Sequence, residues 1–170
     1  MSWLAPAVAA LQVLLLLYAA VTDIATRLIH NEVCLILALL GIVGQFAGPT
    51  HLTESSIAAA LLFLMLIVVY ARGWIGGGDV KLMIALALGL PLAGLAQFIT
   101  VTALSGAVLA LVHLIMRRLP QPGLAPAGSS LVRRVCAVER WRNLRQAPLP
   151  YGAAIACGGV CAILNSGQLT

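Results

Sequence analysis

Charge is what this sequence has least of. Only 9% of its 170 residues are Asp, Glu, Lys or Arg, against 62% hydrophobic residues, and the mean hydropathy is +1.06. Soluble domains carry about 25% charged residues, so a water-soluble globular domain is excluded and the chain reads as an integral membrane protein. The apolar runs also lack the polar alternation of membrane strands, which excludes a β-barrel. No CxxC spacing occurs among the four cysteines, Cys34, Cys136, Cys157 and Cys161. Most of them lie in apolar segments, where a free thiol packs as a small hydrophobe. Cys157 and Cys161 stand one helical turn apart without a third or fourth ligand nearby, so the sequence implies no metal site and no cofactor. The first apolar run has no basic residues ahead of it, and its small residues precede the apolar stretch, so it is read as a retained helix rather than a secretory signal. No internal repeat is evident, which leaves an inverted-repeat transporter without direct support.

What is present is a series of charge-free runs, residues 1–22, 33–53, 55–71, 82–116 and 146–170. A crossing helix needs roughly 20 apolar residues, so four runs are single crossings and the fourth in order is ambiguous. Basic residues collect on the cytoplasmic side of membrane proteins. All ten here (Arg27, Arg72, Lys81, Arg117, Arg118, Arg133, Arg134, Arg140, Arg142 and Arg145) fall on one side if residues 80–116 cross twice, turning near Gly89-Leu90-Pro91. As helix that stretch rises about 55 Å, slightly less than two ~30 Å hydrocarbon cores, so the first of its two helices must be short.

The expected fold is therefore all-α, a polytopic membrane protein forming one domain over residues 1–170. Six transmembrane helices are predicted, at about 4–21, 32–46, 55–70, 80–90, 92–116 and 153–164, with both termini outside. A cytoplasmic loop, about 117–148, separates helices 5 and 6. Its first half is a Pro- and Gly-rich linker. In its second half Leu131, Val135, Val138, Trp141 and Leu144 recur every three or four residues with Arg between them, which predicts an amphipathic helix on anionic membrane lipid rather than a nucleic-acid contact.

Two carboxylates stand out at the ends of apolar runs. Asp79 follows Gly76-Gly77-Gly78 and precedes Val80-Lys81. A charged group there costs a few kcal/mol unless it is used, and the glycines would let another backbone approach. A flexible turn ending in an N-cap Asp is the competing reading. Lys81 would neutralise Asp79, hold a phosphate, or anchor the inner face. Asp23 ends helix 1, and Arg27, four residues on, either pairs with it on a helical extension or snorkels to lipid phosphates. Asn31 is placed to cap helix 2, with Glu32 in its first turn. His51, Glu54 and His113 form no constellation. Antiparallel packing of helices 1 and 4 would bring Asp23 and Asp79 together. Two carboxylates sharing a site share one proton, leaving a general base and a general acid that together can direct water onto a peptide carbonyl. The alternative is a non-enzymatic membrane subunit or proton-coupled transporter using the pair as a relay.

The segments Asp23-x-x-x-Arg27-x-Ile29-x-Asn31, then Gly76-Gly77-Gly78-Asp79-Val80-Lys81, then Leu149-Pro150-Tyr151-Gly152, resemble in order and spacing the bacterial type IV prepilin peptidases, of the GxGD class of membrane aspartyl proteases. The resemblance covers essentially the whole chain. It implies Asp23 and Asp79 as the catalytic pair, with Gly76, Gly77, Gly78, Lys81, Arg27, Asn31, Pro150, Tyr151 and Gly152 supporting the site or the substrate. It implies substrates that are prepilin or pseudopilin precursors, cut after a short basic leader at the cytoplasmic face of the bacterial inner membrane. Where the family commonly has Pro, this chain has His30. The chain begins directly with helix 1, without the cysteine-rich region of longer members, so it resembles the short form associated with Flp-type (tight adherence) pili, and methyl transfer is not implied. A basic leader meets a basic inner face here, and Glu32 or an ionised Asp is the expected attraction.

Overall fold

A computed structural model describes residues 3–46, 52–118, 130, 134, 137–138 and 149–166. Among the described residues there are six helices and no strand: α1 (Leu4–Thr26), α2 (Asn31–Phe46), α3 (Leu52–Ala71), α4 (Gly77–Ala87), α5 (Leu92–Arg118) and α6 (Tyr151–Asn165). Three stretches, Leu4–Thr26, Leu52–Ala71 and Leu92–Met116, are long and apolar enough to cross a membrane, while α2 and α6 are shorter apolar helices. α4 is shorter still. Its eleven residues rise about 16 Å, roughly half of a ~30 Å hydrocarbon core.

The expected amphipathic helix lies largely outside the described residues, as does His51. The chain divides into two compact units, one of residues 1–105 with 150–170 and one of residues 106–149. In the second unit the His113 ring Nδ1 lies 2.9 Å from the Leu109 carbonyl one turn back, a local helix contact.

The first unit is organised around its shortest helix. α1 packs against α2 and α6, and α4 touches α2, α3 and α6. Val80, Leu82, Met83, Ala85, Leu86 and Ala87 of α4 are all buried, the pattern of a helix enclosed over most of its surface. Outward, Leu14, Leu61, Leu64 and Phe46 stand more than half exposed, an apolar surface suited to hydrocarbon. Inside, small residues such as Ala9, Ala19, Ala59, Ala85, Ala87 and Ala156 are nearly or fully buried. Apolar burial gains little inside a bilayer, so close backbone approach through small residues supplies the packing there. Gly41 of α2 and Gly89 after α4 carry this furthest: a methyl group on Gly89 would lie 2.6 Å from the Gly41 Cα.

Because α4 is so short, its C-terminal carbonyls end inside the protein. Leu88 and Leu90, in the turn between α4 and α5, are half-buried and buried. Unpaired carbonyls there would cost several kcal/mol each in an apolar medium. Gln45 of α2 donates from Nε2 to the Leu88 carbonyl at 2.6 Å, and Ser55 of α3 donates from Oγ to the Leu90 carbonyl at 2.8 Å. Both polar side chains are themselves buried. This pair fixes the far end of α4 and so the depth of its first turn.

Candidate active site

α1 runs past its expected end at residue 21 and carries Asp23 in its last turn. It closes on Arg27, whose N–H donates to the Asp23 carbonyl at 2.8 Å and whose backbone is left-handed (φ 59°, ψ 26°). That region costs a non-glycine residue on the order of 1 kcal/mol. The Arg27 Nε and Nη1 are buried.

Asp23 is only 6% exposed. Its Oδ2 accepts the backbone N–H of Gly152 at 2.8 Å. Gly152 is the second residue of α6, following the cap Pro150. First-turn amides have no partner within their own helix, and the helix dipole favours a negative group at that end. The carboxylate therefore occupies a position that backbone geometry offers, and only glycine leaves it room. A methyl group on Gly152 would lie 2.8 Å from the Asp23 Oδ2 and 3.0 Å from its Cβ and Cγ.

The second carboxylate is built the same way. α4 begins three residues earlier than residue 80, with extended Gly76 as its cap, so Asp79 sits in the first turn rather than at the cap. Its carboxylate folds back over Gly76, where a methyl group would lie 3.1 Å from the Asp79 Oδ2. Asp79 is outside the three helices that can span a membrane. Burial first, and then the charge of Asp23, push its carboxyl up to about 6. The two carboxyls are carried by α1 and α4, helices that both pack against α2 and α6. Burial first, and then the charge of Asp79, push the Tyr151 phenol up.

The other glycines of the motif have a different use from the one expected. Gly77 and Gly78 lie inside α4 and are covered: a methyl group would meet the Tyr70 ring at 3.4 Å from Gly77, and the Ile29 Cβ at 3.2 Å from Gly78. They let α3 and the α1–α2 connector close onto α4 instead of leaving open backbone. The Lys81 Nζ donates to the Asn31 Oδ1 at 2.9 Å, toward the start of α2. Asn31 is the first residue of α2 rather than a residue ahead of it. Sequence reasoning missed the roles of Tyr70 and Ile29, and of Gln45 and Ser55 beneath the site. The only signal available for the last two was a polar residue near the outer end of an apolar run. Among the described residues, no group of three or more His, Cys, Asp and Glu could hold a metal ion, and Cys34, Cys157 and Cys161 are free thiols.

A buried and a half-buried carboxyl, each lying against a glycine at the start of a helix, form the arrangement that this fold builds. Comparison with known proteins connects it to a family. Over 157 residues the chain is 34% identical to the prepilin leader peptidase/N-methyltransferase of Bacillus subtilis (strain 168), an alignment covering 88% of this chain and 52% of that protein. The chain thus spans about half the length of the curated relative it matches. No solved structure matches it. The model of the type IV leader peptidase family matches residues 10–111, a region that holds both Asp23 and Asp79. The chain belongs to the type IV leader peptidase family.

Proposed function

We propose that this protein is a membrane aspartyl endopeptidase that removes the basic leader from prepilin-like precursors, with Asp23 and Asp79 as its catalytic pair. The observation that carries the reading is the seating of the two carboxyls at the starts of two helices that pack together: Asp23 on the Gly152 amide in the first turn of α6, and Asp79 over Gly76 in the first turn of α4. The ionised member takes a proton from water as the water oxygen attacks the scissile carbonyl. The protonated member gives its proton to the carbonyl oxygen, forming a gem-diol. The first carboxyl then protonates the leaving nitrogen, the C–N bond breaks, and a diol proton returns to the second carboxylate. Water is consumed, and the pair ends as it began.

In this reading the basic residues near the site (Arg27, Arg72, Lys81) lie at the cytoplasmic face of the inner membrane, and both termini lie outside. Arg72 stacks over Trp74 at 5.6 Å, a pairing suited to an interface. The outward apolar surface holds lipid, and the precursor's apolar helix lies beside it in the bilayer, presenting the leader junction to the site.

The reading is tested by reconstituting the chain in vesicles with a precursor whose leader ends in Gly, and locating any cut by mass spectrometry. Cleavage at the leader junction is expected; an intact precursor, with proton flux across the vesicle wall instead, overturns it in favour of a relay. The same assay reads the acid. Asp79 holds its proton below about 6, so the rate falls as pH rises through that value, the acid form being lost tenfold per further pH unit. A rate that is flat from pH 5 to 8 contradicts Asp79 as the acid.

Gly152 offers a sharper probe. A methyl group there must push the Asp23 carboxylate out of its seat, and misplacing a reacting group by about 1 Å costs on the order of 100-fold. Gly152→Ala is therefore expected to lower kcat 10- to 100-fold while the protein stays folded by thermal unfolding; unchanged kcat would show that Asp23 needs no such seat.

A further inference from the structure

The connector between α1 and α2 has no helical backbone of its own, yet it is held. Residues 27–30 run outside helix, and two contacts join the stretch from there to α2 onto α4. Ile29 packs on Gly78, and two residues later the Asn31 Oδ1 accepts the Lys81 ammonium at 2.9 Å. Lys81 and Asn31 are both exposed, so water could satisfy either. A lysine gives up considerable rotamer freedom to hold one orientation, and an isolated surface contact of this kind adds little to stability. Its consequence is geometric. One end of the contact lies on the segment that leaves Asp23, and the other lies two residues beyond Asp79 on the same short helix. The far end of α4 is already fixed by Gln45 and Ser55, and the Asn31–Lys81 contact is the polar one of the two that tie its near end to the segment that follows α1.

We propose that Asn31 and Lys81 form a clasp that keeps Asp23 and Asp79 in register, acting as positioning residues rather than as a site for leader or lipid phosphate. This rests on the catalytic pair proposed above. The clasp explains why a lysine stands beside an acid without neutralising it: its donor is committed to the neighbouring connector. It also gives Asn31 a task that helix capping does not require.

Two measurements test it. In a vesicle-reconstituted chain with its four cysteines replaced by serine, D23C and D79C are bridged with a short bifunctional thiol reagent. The pair is expected to cross-link readily, and N31A or K81M to slow the reaction about tenfold, the factor that ~1.4 kcal/mol represents. Cross-linking that is unaffected by N31A and K81M overturns the clasp and leaves the catalytic pair standing. No cross-linking in the parent overturns the pair itself, and the clasp with it. In the second measurement, leader removal by the chain with Asp23 and Asp79 intact, N31A and K81M each lower kcat about tenfold with KM changed less than about twofold. The double variant is no slower than either single one, and K81R, which keeps a donor, recovers most of the rate. A rise in KM at unchanged kcat in K81M would assign Lys81 to the leader, and additive losses in the double variant would separate the two residues; either result rejects the clasp.

Discussion

Asp79→Asn is expected to leave a folded protein that removes no leader, and Asp23→Asn to do the same. Asparagine keeps the shape of the side chain but neither takes a proton from water nor gives one to a carbonyl oxygen. With acid and base working as a unit, losing either removes nearly all of the chemical step, at least about 1,000-fold in kcat. The two variants are expected to differ in stability. Asp79 in the folded protein titrates near 6 against 3.8 when unperturbed, so above that window the folded state holds an ionised carboxylate in a poorly solvated place. A raised carboxyl means the native state binds more protons than the unfolded state between the two values, and stability falls as pH rises through them. Asp79→Asn escapes that penalty: at pH 8 it should unfold later than the parent, by on the order of 3 kcal/mol, and at about pH 3.5, below both values, with no more than a small difference. A band-shift assay with co-expressed precursor reads the first effect, and thermal unfolding at the two pH values reads the second. Processing retained by either variant would remove the pair from the mechanism.

The second large effect lies away from the carboxyls. Gly89→Ala would place a methyl group 2.6 Å from the Gly41 Cα, and Gly41→Ala would place one 2.8 Å from the Gly89 Cα. Both neighbours are backbone, so no side chain can swing aside. α2 and the α4–α5 turn must separate, and the Gln45–Leu88 hydrogen bond between them lengthens or breaks. Each substitution is expected to cost about 3 kcal/mol, and the pair together less than the sum, because the first already opens the contact. Gly44→Ala is the control on the same helix: its methyl group meets only a Val8 methyl, at 3.4 Å. It should stay within about 0.5 kcal/mol of the parent or gain slightly from helix propensity. Equal unfolding midpoints for Gly89→Ala and Gly44→Ala would show that the close crossing carries no stability.

The helices were legible because hydrocarbon leaves so few options. Long charge-free runs had to become helix, and the pressure to keep ten basic residues on one side split residues 80–116 near Pro91, where the structure also breaks. The shortness of α4 followed from the same count. What periodicity could not supply were partners distant in sequence. Gly77 and Gly78 looked like open backbone because nothing nearby in the chain says that Tyr70 and Ile29 cover them. Likewise Gly152 stood out only through the family resemblance, while its physical task, donating to Asp23 from the other end of the chain, required the fold. Arg27 carries no local mark of a left-handed backbone, since that conformation is imposed by the turn into α2 and not chosen by arginine.

The turn after α4 bears on how the chain is made. Leu88 and Leu90 find donors on Gln45 and Ser55, residues synthesised earlier, and an eleven-residue helix with an Asp and a Lys in it offers the translocon a poor signal for insertion by itself. The turn after α4 is therefore completed against α2 and α3, both made before it, and α6, made after them all, presents Gly152 to Asp23.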